Sequence, residues 1–280
     1  MAITQNVESQ NQAPQFKVLL AEDNIVNQEV TRNQLKLMGC SVQIANNGEE
    51  AIKATQQQDF NLILMDCHMP ILDGYAATRK IRDIEQQKEK AQVPIIALTA
   101  DVAILNQEMC IKSGMNDYMT KPISIKELKK TLRVWLKKKV AREGKHASPA
   151  PLTLYQQDEE KNKESPIDFT TLNELRQYLK NKETNRIIKL YLQELPNYLN
   201  SLEKSISSED GKALHENAHK FKGASKALGA HRVSASCIVL EQFGREGALE
   251  KAKPEFLKLK AECELLKLVL EEQINIYTLN

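Results

Sequence analysis

The sequence lacks the features that mark several large classes of protein. Only 10 of its 280 residues are glycine, 9 are proline, and 5% are aromatic, so collagen-like and proline-rich chains are excluded. The longest apolar runs, such as residues 93–97, are far too short to span a membrane. No charged start followed by an apolar stretch precedes residue 20, and we therefore expect no signal peptide.

Cysteine is also scarce and shows no spacing typical of a metal site or a disulfide framework. The cysteines are odd in number and none belongs to a CxxC pair, which favours neither zinc binding nor paired bridges. We therefore expect reduced, buried thiols and a cytoplasmic protein. The five cysteines are Cys40, Cys67, Cys110, Cys237 and Cys263.

A surplus of one charge is missing as well. Lys and Arg number 39 against 37 Asp and Glu, which gives a net charge of +2. Residues 1–150 carry 20 basic and 17 acidic residues, and the remainder carries 19 and 20. Proteins that bind a nucleic-acid backbone usually show a strong basic excess, so we expect no direct nucleic-acid partner.

Two polar stretches divide the chain. Residues 1–15 are rich in Gln and Asn without periodicity, which predicts a disordered tail. Residues 140–165 combine Pro, Ser, Gly and dense charge, which is typical of a flexible linker. The sequence therefore predicts two domains, at residues 16–139 and 166–280.

Short apolar segments alternate with helical patterns in the first predicted domain. Segments this apolar suit strands that are buried on both faces of a parallel sheet. They lie at residues 17–21, 42–45, 61–65, 93–98 and 118–119. Five such βα units predict an α/β fold with a doubly wound, five-stranded parallel sheet, whose ligand site lies at the carboxyl ends of the strands.

The second predicted domain shows no convincing strand. Apolar residues recur at helical spacing, as in Leu172, Leu175 and Leu179. Several amphipathic helices joined by short loops predict an antiparallel, all-α bundle. Pro196 falls inside the second of these helical stretches, and we expect it to kink that helix.

Five residues of related chemistry fall at predicted strand ends. Glu22 and Asp23 follow the first strand and Asp66 follows the third, so three mutually repelling carboxylates can converge and hold Mg²⁺. Thr99 and Lys121 follow the fourth and fifth strands. The set suits phosphoryl transfer to a carboxylate, with Mg²⁺, an ammonium and a hydroxyl stabilising the transferred oxygens. The alternative is that Glu22, Asp23 and Asp66 are unrelated acidic residues of loops. It does not explain why all five residues fall at the same edge of the predicted sheet.

The motifs around these residues resemble a known family. LLAEDN, LILMDCHMPILDGY, IIALTA and DYMTKPI occur in this order and are similar to the receiver domain of response regulators and hybrid sensor kinases. The resemblance covers residues 16–139 and implies a flavodoxin-like receiver with Asp66 as phosphoacceptor. It further implies that Asp23 and Asp66 bind Mg²⁺ directly, Glu22 through water, and His68 through its backbone carbonyl.

The same resemblance implies roles for three other residues. Thr99 would bond a phosphoryl oxygen, Lys121 would pair with the phosphoryl group, and Tyr118 would be the aromatic switch on the face of the fourth helix, fifth strand and fifth helix. His68 stands two residues after Asp66, at a variable place that tunes phosphate lifetime by controlling water access. Its imidazole as a metal ligand is the competing idea, which the oxygen preference of Mg²⁺ disfavours.

One helix of the second domain carries a polar stripe opposite its apolar face. His215, His219, Lys222 and Lys226 follow one another at spacings of four, three and four, so they share one side of the helix. Gly223 lies one turn after His219, and because glycine costs ~1 kcal/mol against alanine in a helix, it indicates close approach of another group. The alternatives are a metal pair, for which two ligands are too few, or a solvated face.

The sequence around this stripe resembles a second family. AHKFKGASKALGAHRV, followed by a Cys and a Leu-Glu pair, is similar to the histidine-containing phosphotransfer domain, a four-helix-bundle module, over residues 166–280. The resemblance implies that His219 is the phosphorylated histidine, with Lys222 supplying charge and Gly223 leaving room beside the ring. Phe221 stands where leucine is more usual, which affects no catalytic residue.

Together the two resemblances predict a two-component phosphorelay protein. A phosphoryl group would pass from an upstream sensor histidine kinase to Asp66, then through His219 to or from the receiver domain of a separate response regulator. A flexible linker of ~25 residues has an r.m.s. reach of roughly 25–30 Å, enough for the two sites of one chain to meet at high effective concentration. No ATP-binding glycine-rich motif is present, so the chain fits either a stand-alone relay protein or the C-terminal part of a hybrid sensor kinase.

Two rival functions belong to other classes. A scaffold without phosphotransfer would not need the intact set of strand-end residues. A metal-binding bundle would use His215, His219 and His231. The sequence leaves the direction of phosphate flow open.

Overall fold

The computed structural model describes three stretches of the chain: residues 16–100, 104–140 and 165–278, with the backbone alone for 104–107 and 137–140. The predicted tail at residues 1–15 and nearly all of the predicted linker at 140–165 lie outside the described residues. In the described part no helix is long and apolar enough to cross a membrane. All five cysteines are buried and free.

Strands and helices alternate through the first domain, as predicted. The strands are β1 (Phe16–Ala21), β2 (Cys40–Ala45), β3 (Leu62–Asp66), β4 (Ile95–Thr99) and β5 (Asp117–Thr120). The helices are α1 (Ile25–Leu37), α2 (Gly48–Gln57), α3 (Gly74–Gln87), α4 (Ile104–Ser113) and α5 (Ile125–Val140).

The five strands form one parallel sheet in the order β2-β1-β3-β4-β5. Successive residues alternate between two hydrophobic cores, with Leu19 and Ile63 on one face and Leu20 and Leu64 on the other. The predicted doubly wound sheet is therefore confirmed. The strand order reverses between β1 and β3, and in such sheets the carboxyl ends at the reversal form the ligand site.

Polar side chains fix where the helices of both domains begin. Asn24, Asn47 and Asp73 accept hydrogen bonds from the first free backbone N–H groups of α1, α2 and α3. Asp168 and Asp210 do the same in the second domain. Such caps satisfy donors that a helix cannot pair internally, and each contributes about 1 kcal/mol.

The second domain is a four-helix bundle. Its helices are α6 (Phe169–Ser207), α7 (Gly211–Ala227), α8 (His231–Glu246) and α9 (Ala252–Ile276), with a 3₁₀ turn at Leu249–Lys251. Each helix packs against the next in sequence, and α9 packs back against α6. This closed arrangement confirms the bundle that the apolar periodicity predicted.

The long helix α6 is interrupted at Lys180 and not at Pro196, where the sequence predicted a kink. Lys180 has a φ of 65° and a ψ of 167°, so it divides α6 into a short segment and a long one. Pro196, where we expected a kink, sits inside the long segment without non-helical dihedrals. Pro196 is exposed, and because proline fixes its own φ near the helical value, its backbone dihedrals stay helical.

Helix α1 belongs to the first domain but packs into the core of the second. Val26 and Val30 are 0% and 7% exposed and join the hydrophobic cluster of the bundle, where α1 lies against α6 and α7. Leu35, later on the same helix, packs instead into the core of its own sheet. Burying each valine contributes roughly 1.5–3 kcal/mol, so the two domains share a substantial apolar contact.

Candidate functional site

Three carboxylates converge at the carboxyl edge of the sheet. Glu22 and Asp23 directly follow β1, and Asp66 ends the neighbouring strand β3. One oxygen from each carboxylate lies within 4.8 Å of the other two. Glu22 and Asp66 are buried and Asp23 is half-buried. A cluster of carboxylate oxygens of this kind suits a hard divalent cation.

Lys121 bridges two of these carboxylates. Its Nζ lies 2.6 Å from Oε2 of Glu22 and 2.6 Å from Oδ2 of Asp66. Burial raises the pKa of both carboxyls, that of Glu22 to about 7, although the charge of Lys121 opposes this. Burial acts to lower the pKa of Lys121, but the two carboxylates outweigh it and raise that pKa. Lys121 alone therefore does not balance the negative charge of the three carboxylates.

The other residues predicted for this edge are found on or beside it. Thr99 is buried at the end of β4, the strand next to β3. The backbone N–H of His68 donates to Oδ1 of Asp66 at 3.2 Å. The His68 imidazole is not part of the carboxylate cluster, so nothing in the described residues supports it as a metal ligand. Tyr118, on β5, is half-buried and packs against one core of the sheet.

His219 lies on α7 with a buried carboxylate behind its ring. Its Nδ1 is 2.8 Å from Oε1 of Glu241, a residue of α8 that is 7% exposed. Burial acts to raise the pKa of Glu241, but hydrogen bonds from His219 and Lys222 outweigh it and lower that pKa to about 2. An ionised Glu241 accepts the proton on Nδ1, which assigns the free lone pair of the imidazole to Nε2.

The sequence placed Lys222 on a polar stripe opposite the buried face of α7, but in the structure its side chain is buried. It is 9% exposed, its Nζ donates to Oε2 of Glu241, and that nitrogen is 3.3 Å from Nδ1 of His219. The expectation was wrong because α7 is covered by α8 as well as by α6, so more than the apolar stripe is buried. Lys222 therefore holds the carboxylate that orients His219.

The carboxylate edge and His219 face each other across the domain boundary. The ring centroids of His68 and His219 are 5.5 Å apart, in an edge-on arrangement. One small cavity is lined by Asp66 and His219 together. The next residue of α7, Lys220, places its Nζ 3.0 Å from Oδ2 of Asp23. The fold thus brings the two predicted sites into a single site.

Gly223 lies at a close approach between the domains. A Cβ at this position would lie 3.2 Å from Nδ2 of Asn27, on α1. This distance is shorter than most side-chain contacts, so glycine leaves room for the helix of the other domain. The predicted close approach is confirmed, and its partner is the chain's own first domain.

The histidines of the bundle do not form a metal site. Nδ1 of His215 is 3.2 Å from the backbone oxygen of Glu241, and the ring centroids of His215 and His219 are 6.4 Å apart. Across residues 16–100, 104–140 and 165–278, the carboxylate cluster is the one group of three or more His, Cys, Asp or Glu residues placed to hold an ion. The metal-binding bundle with His231 therefore has no support from the geometry.

Glu241 is a site residue that the sequence analysis did not single out. It occurs in the Leu-Glu pair of the second motif, one turn after Cys237, on the buried face of α8. A carboxylate on a buried helix face needs a partner, and this is the signal that could have found it. Its partners, His219 and Lys222, come from a different helix.

A carboxylate cluster on a parallel sheet, facing a histidine on a four-helix bundle, defines a protein of the phosphorelay class. Family models agree with this: the response regulator receiver domain matches residues 18–133 and the Hpt domain matches residues 186–268. The chain therefore carries a receiver domain followed by an Hpt domain, the order found in the C-terminal parts of hybrid histidine kinases. These domains assign it a role in two-component phosphorelay signalling.

The chain is similar to curated histidine kinases. It is 29% identical over 227 residues to sensor histidine kinase GacS of Pseudomonas protegens, covering 79% of this chain and 23% of that protein. It is 28% identical over 249 residues to signal transduction histidine-protein kinase BarA of Escherichia coli, covering 88% of this chain and 26% of that protein. The chain thus spans about a quarter of the length of these relatives.

Solved structures also resemble the chain. One is the receiver domain of sensor histidine kinase PA1611 of Pseudomonas aeruginosa, with a magnesium ion coordinated in its active site cleft. It is 43% identical, has a TM-score of 0.40, and the match covers 44% of this chain and 98% of that one. A second is the co-crystal structure of the Saccharomyces cerevisiae phosphotransfer protein Ypd1 with the receiver domain of Ssk1, at 34% identity and a TM-score of 0.44, covering 46% of this chain and 93% of that one.

Proposed function

We propose that the chain passes a phosphoryl group between Asp66 of its receiver domain and His219 of its Hpt domain. The observation that carries the proposal is that the two side chains line one cavity although they belong to different domains. We take residues 16–139 as the receiver domain and residues 166–280 as the Hpt domain.

In the first step Asp66 accepts a phosphoryl group from the phosphohistidine of an upstream histidine kinase. A carboxylate oxygen of Asp66 attacks phosphorus, a P–O bond forms, and the P–N bond to the kinase breaks as its imidazole leaves with the electron pair. Lys121, whose Nζ already donates a hydrogen bond to Asp66, forms an ion pair with the phosphoryl oxygens. The hydroxyl of Thr99 donates to one of them.

The acidic edge of the receiver fits Mg²⁺. Asp23 and Asp66 would hold the ion through their carboxylates, Glu22 would support it through water, and the backbone carbonyl of His68 would complete the set. The fit rests on the convergence of three carboxylates that Lys121 does not balance. When bound, the ion neutralises charge on the phosphoryl oxygens.

In the second step His219 accepts the group from Asp66. Nε2 of His219 attacks phosphorus, a P–N bond forms, and the P–O bond breaks to restore the carboxylate. Glu241 keeps the proton on Nδ1 and stabilises the positive charge that the ring acquires. Because each step exchanges one bond to phosphorus for another, the same residues serve the reverse direction.

The partners of the relay follow from the two acceptors. Asp66 requires a histidine kinase that supplies phosphohistidine, and His219 exchanges with the receiver domain of a separate response regulator. That receiver needs access to the side of His219 that faces Asp66, so it takes the place of the chain's own receiver domain. Tyr118, on β5, would report the phosphorylated state to the face formed by α4, β5 and α5.

The proposal is tested by labelling the intact chain with radiolabelled acetyl phosphate and Mg²⁺. We expect hydroxylamine-labile label on Asp66, and then acid-labile, base-stable label on His219, as the chemistry of acyl phosphates and phosphoramidates requires. Asp66→Asn should abolish both signals. His219→Gln should leave the first signal and abolish the second.

Two matched variants control for damage to the fold. Asp73→Asn keeps an oxygen that can cap α3, and His215→Gln changes a histidine one turn from His219. Both should be labelled as the wild type is. Label on the Hpt domain of His219→Gln, or any transfer in Asp66→Asn, would overturn the assignment of the two sites.

A further inference from the structure

Asn24 stands where the receiver site, the start of α1 and the Hpt domain meet. It is 1% exposed, and its Oδ1 accepts from the backbone N–H groups of Val26 at 3.0 Å and Asn27 at 3.3 Å. Its own backbone N–H donates to Oε1 of Glu22 at 3.3 Å. One residue therefore connects a carboxylate of the acidic cluster with the first turn of α1.

The amide nitrogen of the same side chain contacts the other domain. Nδ2 of Asn24 donates to the backbone oxygen of Lys220 at 2.9 Å, and Lys220 directly follows His219. The hydroxyl of Tyr198, on α6, donates to Oδ1 of Asn24 at 3.4 Å. Two helices of the Hpt domain thus contact one buried side chain beside the receiver site.

Capping alone does not explain these contacts. Asn47 caps α2 of the same domain with its Oδ1, which accepts from the backbone N–H of Glu50 at 2.9 Å. Its Nδ2 donates to Oε1 of that same Glu50 at 3.1 Å. An asparagine cap can therefore use its amide within its own helix, whereas the amide of Asn24 is used across the domain boundary.

The geometry points to Asn24 as a positioning residue that sets His219 against Asp66 by holding the backbone next to His219. The inference deepens the proposed transfer and rests on it. Asn24 touches neither the phosphoryl group nor the nucleophile. Because transfer between two side chains depends steeply on their alignment, a buried hydrogen bond one residue from His219 is well placed to set the rate.

The test compares three substitutions in the intact chain. Asn24→Ser keeps an oxygen for the cap but removes the donor to Lys220, and transfer from Asp66 to His219 should slow about 3- to 10-fold. Asn24→Asp also keeps a capping oxygen, but its second carboxylate oxygen would face the backbone oxygen of Lys220. These two acceptors repel each other, and transfer should slow roughly 30-fold or more. Asn47→Ser, the matched control, should leave transfer unchanged.

Two further measurements separate positioning from loss of structure. Labelling of Asp66 by acetyl phosphate should stay within about twofold of wild type in Asn24→Ser and Asn47→Ser, because the cap is retained and neither variant adds a charge beside the acidic cluster. Modification of His219 by diethyl pyrocarbonate, followed by mass spectrometry, should accelerate in both Asn24 variants and not in Asn47→Ser. This second readout does not depend on phosphotransfer.

Equal transfer and equal His219 modification in wild type and both Asn24 variants would show that Asn24 is only a helix cap. Slowing of the Asn47→Ser control to the same degree would assign the effect to capping and also overturn the inference. If wild type itself passes no label to His219, the proposed function fails. Faster His219 modification in the Asn24 variants would still locate Asn24 in the docking contact.

Discussion

The receiver site sets three carboxylates against one lysine of its own domain, whereas the Hpt site sets one carboxylate between a lysine and a histidine. At the first site, burial raises the pKa of Glu22 and Asp66 even with Lys121 in contact. At the second site, hydrogen bonds from His219 and Lys222 lower the pKa of Glu241 to about 2. Within its own domain the receiver cluster is thus short of positive charge, while the Hpt cluster is internally balanced.

This difference explains how the two sites divide the work. An unbalanced cluster gains the most from a divalent cation, which in turn neutralises negative charge on the transferring phosphoryl group. A balanced cluster holds the imidazole in one tautomer before any partner arrives. Contact between the domains also joins them electrostatically, since Lys220 of the Hpt domain pairs with Asp23 of the receiver.

The largest expected effect comes from removing the positive charge of the receiver site. Lys121→Ala should slow labelling of Asp66 by acetyl phosphate about 100-fold or more, because the phosphoryl oxygens lose their ammonium partner. Breaking a buried ion pair also costs about 3–5 kcal/mol, so the urea midpoint of the receiver should fall. Labelling rates and urea titrations measure the two effects.

Lys90→Ala is the control for that variant, since Lys90 forms an ion pair with Asp59 at 2.9 Å and is half-exposed. It should change stability by no more than about 0.5 kcal/mol. Labelling of Lys121→Ala at the wild-type rate would contradict the account of the receiver site.

A smaller effect is expected from removing the charge behind the histidine. Glu241→Gln keeps an oxygen near Nδ1 of His219 but loses the charge that stabilises the ring, so transfer from Asp66 should slow roughly tenfold. Labelling of Asp66 should not change. Glu246→Gln, an exposed position on the same helix, is the matched control, and equal transfer rates in all three proteins would refute the role of Glu241.

The same residue gives the Hpt domain a specific response to acid. The pKa of Glu241 falls from an ordinary 4.5 to about 2 in the folded protein, so its stabilising contribution is complete above pH 4.5 and is lost as the pH falls towards 2. The difference in urea midpoint between wild type and Glu241→Gln should therefore be largest near neutral pH and shrink in that acid window. A difference that stayed constant with pH would be inconsistent with a lowered pKa.

A still smaller effect tests the space between the domains. Gly223→Ala should stabilise α7 by up to about 1 kcal/mol yet slow transfer about 2- to 5-fold. The new methyl group would crowd the Asn27 amide and weaken the hydrogen bond that Nδ2 of Asn27 donates to Oε1 of Glu22 at 3.2 Å. Thermal unfolding and single-turnover transfer measure the two opposite changes. In a double-mutant cycle with Asn27→Ala, the slowing should disappear, and additive effects would count against the steric explanation.

The smallest effect is expected at the rim of the contact. Arg186 is 64% exposed and lies 3.7 Å from Glu29 of α1, and exposed ion pairs contribute about 0–1 kcal/mol. Arg186→Ala should slow transfer less than about threefold, and added salt should remove even this difference. A large, salt-insensitive loss would show that the rim and not the buried contact determines docking.

The sheet and the acidic cluster could be predicted because their signals are local. Continuous apolar segments mark buried parallel strands, and residues that follow such strands share one edge. Glu22, Asp66 and Lys121 can be located in this way from the sequence alone. The bundle was predicted from apolar spacing on the same grounds.

The contacts between elements could not be predicted from a single sequence. Val26 and Val30 show helical spacing, but that pattern does not tell whether they face their own sheet or another domain. The burial of Lys222 depends on how α8 packs over α7, and the amide of Asn24 finds its acceptor in another domain. These features arise from tertiary packing, which local patterns do not encode.

The central claim is that Asp66 and His219 of one chain meet, and a dilution series tests it most directly. The chain is labelled on Asp66, freed of donor, and transfer to His219 is followed over a hundredfold range of protein concentration. A mixture of Asp66→Asn and His219→Gln chains gives the rate between molecules. The account predicts a first-order rate that does not change on dilution and exceeds that of the mixture, whereas a rate that falls in proportion to concentration would contradict it.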